Sequence, residues 1–106
     1  MGQKVFKPEK LERAAIDWET RIRQLREQSN WHEGDEVTDY NRDGWHKFQL
    51  AQAMQSYTRL LRECAAQGEQ HTRQQYESYK EADSKELHHT YEARVEFASI
   101  LKDNLP

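Results

Sequence analysis

Apolar positions recur along this chain with the period of an α-helix in three stretches. Leu11, Ala15, Trp18, Ile22 and Leu25 follow one another at steps of four and three residues, the seam of an amphipathic helix. Pro8 stands where a first helical turn tolerates a missing N–H, so the spacing predicts a helix over 8–28. Leu50, Met54, Tyr57, Leu61 and Cys64 repeat the same steps, widened by Ala53 and Leu60. This stripe predicts a second helix over 44–67, with Asp43 as its N-cap and Gly68 closing it in a left-handed conformation. A third run, 69–104, is strongly patterned in its second half through Leu87, Tyr91, Val95, Ala98 and Leu101. Its first half offers a core only Tyr76, Tyr79 and Ala82.

Lengths constrain how these pieces assemble. At 1.5 Å per residue the first two helices measure about 30–35 Å and the third about 50 Å. The expected fold is all-α, an antiparallel three-helix bundle in one domain whose third helix is too long to be covered. That helix either breaks near Asp83-Ser84, both N-cap types, or projects. Continuity with a projecting end is the favoured expectation.

Composition narrows the class. Apolar residues make up 35% of the 106 residues and charged residues 33%, so no run could span a membrane. A low apolar content invites disorder, but the net charge of −3 and the 10% aromatics point to an ordered protein with a thin core. The first eight residues hold no apolar run of secretory length, and Cys64 is the only cysteine. Both fit a reducing, cytoplasmic setting. Sixteen basic residues stand against nineteen acidic ones, which argues against a nucleic-acid binder driven by bulk electrostatics. Glu9–Arg13, Asp17–Arg21 and Glu19–Arg23 are acid-before-base pairs four apart, so the arginines of the first helix read as a solvated outer face.

The connection over 29–43 is the least ordinary segment. It carries Glu33, Asp35, Glu36, Asp39 and Asp43 against Arg42 alone, a local charge of −4, together with Trp31 and Tyr40. Asp39-Tyr40-Asn41-Arg42-Asp43-Gly44 resembles the first half of an EF-hand calcium loop, with oxygens at positions one, three and five and glycine at six. Asp39, Asn41 and Asp43 are thus candidate calcium ligands, although Leu50 stands where the bidentate glutamate belongs. Without calcium, the same residues form an acidic turn before the second helix. Glu86 and His89 have the Glu-x-x-His spacing of di-iron bundles, but no second such pair occurs. Cys64 lies on an apolar seam, away from the electropositive setting an activated thiolate needs. Arg59, Arg62 and Arg73 flank a helix-turn-helix-like turn at Gln67-Gly68-Glu69, with Glu63, Glu69 and Glu77 among them, which counts against DNA recognition.

Neither a phosphate loop nor a catalytic carboxylate pair is present, so the chain reads as a non-enzyme with no required cofactor. The remaining expectation is protein recognition by a small adaptor, regulator or inhibitor. Trp31, Tyr40, Trp45, Tyr76 and Tyr79 are the candidate contact residues, since Trp and Tyr commonly anchor interfaces. Phe48 is the further ring off the stripes, and with Trp45 it has a competing role as a plug at the bundle's end. An acidic rim favours a larger partner with a basic surface, and pairing of identical chains is the variant of the same idea.

Overall fold

The computed structural model describes residues 5–81 and 85–106. These form four α-helices: α1 (Pro8–Gln28), α2 (Arg42–Gln67), α3 (Glu69–Tyr79) and α4 (His88–Asn104). No strand occurs among the described residues, and none of the helices is long and apolar enough to cross a membrane.

α1 turns Leu11, Ala15, Trp18 and Ile22 inward, where they join Ala51, Met54, Tyr57, Leu61 and Cys64 of α2 in one cluster. The two helices are antiparallel, because Arg26 reaches Gln55 near one end while Glu19 meets Arg62 further along. α2 starts at Arg42, earlier than the apolar stripe implies, and Asn41 rather than Asp43 holds the N-cap position. Asn41 does not cap with its side chain. Its amide is taken up by the loop, accepting from the Thr38 N–H at 2.7 Å and donating to the Glu36 carbonyl at 3.0 Å. Asp43 sits inside the first turn and pairs with Lys47 at 3.0 Å, still a favourable place for a negative charge.

The expected continuous helix over 69–104 is two helices, which corrects a three-helix bundle to four helices. Gly68, at φ 102°, is the single residue between α2 and α3. α3 runs back along α2: the Thr72 hydroxyl donates to the Gly68 carbonyl at 2.8 Å, and Tyr79 meets Tyr57 edge-on. The chain then reverses, and α4 runs parallel to α2, with His89 beside Trp45 and Phe97 beside Tyr57. The expected break point, Asp83-Ser84, lies outside the described residues. The physical reason for the reversal is burial. A continuous rod would carry Phe97 and Leu101 past the end of the hairpin, whereas folded back both are fully enclosed.

The inward face of α4 also differs from the expected stripe. His89, Ala93, Phe97, Ala98 and Leu101 are buried, while Leu87, Tyr91 and Val95 are 62%, 42% and 45% exposed. Two apolar stripes lie side by side on this helix, and periodicity alone does not choose between them. The stripe carrying Phe97 has the larger surface to hide, and it wins. Arg94 holds the reversal in place. Its guanidinium donates to the Tyr79 carbonyl at 3.2 Å and the Ser78 carbonyl at 3.3 Å, closing the end of α3, and faces Glu86 at 3.5 Å.

The Cα radius of gyration is 15.5 Å, against roughly 13 Å for a compact chain of this length. The molecule is a rod of 54 × 28 × 23 Å, built on a long hairpin. At the hairpin's closed end, the first turn of α2 presses on the loop. The Ser29 hydroxyl donates to the Gly44 carbonyl at 2.7 Å, and a Cβ on Gly44 would lie 2.6 Å from the Asn30 nitrogen and 2.9 Å from that of Trp31. The Asn30 side-chain oxygen lies nearer still and can swing away, but the two backbone nitrogens cannot. Gly44→Ala is therefore expected to destabilise the fold by about 1–3 kcal/mol in urea titration, the range for overpacking. An unchanged midpoint would show that the loop moves aside freely.

Candidate functional site: an arginine-lined groove

One flank of α1 carries Glu12, Ile16, Glu19, Arg23 and Arg26, spaced four and three apart beside the buried seam. The matching flank of α2 carries Gln55, Thr58, Arg59 and Arg62. Between them runs an open groove of about 690 Å³ lined by α1 and α2 alone, so neither α3 nor α4 covers this side of the hairpin. Its floor holds Ile22 and Thr58, both buried, with the Thr58 hydroxyl donating to the Met54 carbonyl at 2.8 Å. Its rims hold four arginines, an Arg-x-x-Arg pair from each helix.

The groove's two ends are closed by contacts between the helices. Arg26 donates to the Gln55 side-chain oxygen at one end, and Arg62 bridges Glu19 and Glu12 at the other. These fix the register so that Arg23 and Arg59 stand level with one another on opposite rims. Neither has an ion pair or hydrogen bond among the described residues. Four arginines against Glu19 and Glu27 leave the groove lining with an excess of positive charge, on a chain whose net charge is −3.

The expected helix-surface pairs explain why sequence reading passed over this site. Asp17–Arg21 and Glu19–Arg23 have the spacing of pairs within one turn, but Arg21 instead makes two 2.8 Å bonds to Glu96 of α4, and Glu19 turns to Arg62 of α2. Contacts between helices outcompete local ones because each joins elements that are already packed. The repeated Arg-x-x-Arg at 23–26 and 59–62 was the available signal.

The aromatic residues singled out in the sequence are mostly taken into the fold. Trp31 is buried, edge-on to Phe48 at 4.9 Å, with its indole N–H donating to the Asp35 carbonyl at 3.0 Å. Tyr79 packs edge-on against Tyr57 and Phe97 beneath the Arg94 guanidinium, and Tyr76 is half-buried on the same core. Only Tyr40 among the five is freely exposed, at 85%. In the acidic connection, Asp39 pairs with Arg42 and Asp43 with Lys47, while the Asn41 amide serves the loop backbone. Among the described residues no group of three or more His, Cys, Asp or Glu side chains is placed to hold a metal ion. Cys64 is fully buried, and that burial pushes its thiol pKa up.

No protein-family model matches this chain, and comparison with curated proteins and with solved structures finds no match.

Trp45 belongs to a cluster where α2 and α4 begin together. Its ring lies 4.9 Å from His46 and 5.7 Å from His89, and the two histidine rings are 6.2 Å apart. Burial holds the His89 pKa below its ordinary value of 6.5, helped by His46 and His88 and opposed by Glu92. A base whose folded pKa is depressed binds fewer protons folded than unfolded. Stability is then complete above the unfolded value and declines as pH falls toward the folded one. The midpoint of urea unfolding is accordingly expected to drop between about pH 7.5 and about pH 5.5, and His89→Gln to flatten that slope. An identical slope in wild type and variant would remove His89 as its cause.

Proposed function

We propose that this protein is a non-catalytic interaction module that binds a larger protein through the α1–α2 groove. The observation carrying this reading is the uncovered side of the hairpin, where Ile22 and Thr58 lie between Arg23 and Arg59, neither of them held in an ion pair among the described residues. A hairpin of this length ordinarily buries both of its grooves or presents one to a partner, because small chains complete their apolar burial by docking. Arginine around an apolar centre is also a recurrent composition of interface hot spots. The acidic connection is the weaker surface, since Trp31 is enclosed and three of its carboxylates have local partners.

The test is site-specific photo-cross-linking in cells, with a photoreactive amino acid in place of Glu27, which lines the groove, or, separately, of Tyr40. The expected outcome is a discrete heavier adduct from the groove position and none from the loop. Capture from the loop alone would move the contact surface to residues 29–43. No adduct from either position would overturn the reading.

A further inference from the structure

We propose that the occupant of the groove is a short acidic amphipathic helix, which sets its leucine-like face on Ile22 and Thr58 and its carboxylates on Arg23 and Arg59. The inference deepens the interaction reading above and depends on it.

The fold supplies its own precedent on the other side of the same hairpin. There α4 lies along α1 and α2, burying Phe97 and Leu101, and an arginine of α1 reaches outward to clamp it. Arg21 makes two 2.8 Å hydrogen bonds to the two carboxylate oxygens of Glu96. A helix thus sits in one groove of the hairpin with a glutamate held by an α1 arginine. The open groove offers the same ingredients with the helix missing: an apolar floor and an arginine on each rim. Arginine's planar fork suits carboxylates, and each pair formed there relieves a repulsion between like charges.

Size and charge select the class of partner. The stretch from Glu19 to Glu27 measures about 12 Å along α1, enough for roughly two turns of a docked helix. Helix-in-groove recognition places apolar anchors at i, i+3, i+4 and i+7 over such a length. The cationic strip is short and the chain around it is acidic, so a long polyanion meets repulsion beyond the groove, whereas a compact acidic segment does not. A basic helix would face Arg23 and Arg59 directly and is disfavoured.

The test is fluorescence anisotropy on the full chain with four fluorescein-labelled probes. The first is a helix-forming peptide of about twelve residues with leucines at i, i+3, i+4 and i+7 and glutamates on both flanks. The others are its lysine-for-glutamate version, its alanine-for-leucine version and an oligothymidylate of equal length. The glutamate–leucine peptide is expected to bind tightest, to weaken with salt, and to lose about tenfold or more in affinity with the Arg23→Ala/Arg59→Ala double variant. Both arginines are exposed, and circular dichroism of the variant checks that the fold is retained. Arg13→Ala, on the outer face of α1, is expected to leave affinity unchanged. Equal binding of the lysine or alanine peptide, preference for oligothymidylate, or undiminished binding by the double variant would overturn the proposal. Failure of all four probes while the Glu27 position still cross-links would overturn this occupant and leave the interaction reading standing.

Discussion

The architecture depends on one close backbone approach. Gly44 lets the first turn of α2 touch the Asn30 and Trp31 backbone, and no residue with a Cβ fits that space without displacement. The contact fixes where α2 begins, and through the Ser29 bond to the Gly44 carbonyl it fixes how the chain leaves α1. Trp31 then covers Phe48 and closes the end of the hairpin. The crossing of α1 over α2 follows from this end, and the shape of both grooves follows from the crossing. A tight turn at one end of the rod thereby sets the spacing of arginines several turns away.

The hairpin's two grooves have met different fates. One is filled by α4, whose reversal after α3 brings Phe97 and Leu101 under the seam. The other remains open, because the chain after Gly68 is divided between α3 and α4 and both lie on the same side. Electrostatics distinguish the two sides as well. On the filled side Arg21 is satisfied by Glu96, whereas on the open side Arg23 and Arg59 are not satisfied by any described residue. The asymmetry is a property of the assembled helices and belongs to no single one of them.

Local pattern revealed the helices but not their neighbours. The α1 seam of Leu11, Ala15, Trp18 and Ile22 was legible because only one apolar stripe exists on that helix. α4 carries two, and of the expected stripe the structure buries Ala98 and Leu101 but leaves Leu87, Tyr91 and Val95 exposed. The reversal before α4 was illegible for a related reason. Helix propensity is local, while the gain from folding back comes from residues more than thirty positions away. The groove was hidden more deeply still, since its four arginines come from two segments, and each segment alone resembles a solvated helix face. The aromatic residues misled in the opposite direction: Trp31 and Tyr79 lie off the simple stripes because they fill corners of the core, not because they face outward.

The enclosure of Cys64 has a practical meaning. Its thiol sits at the junction of α2 with α3, where the Thr72 hydroxyl that donates to Gly68 also lies 3.3 Å from the Cys64 carbonyl. Thiol-directed reagents reach it only when those helices part, so the native protein presents no cysteine thiol at its surface. A spectroscopic dye directed to one engineered surface thiol would have no rival for attachment while the rod stays closed. The same silent sulfur doubles as a recorder of breathing, since each modified molecule marks one that has opened at that junction.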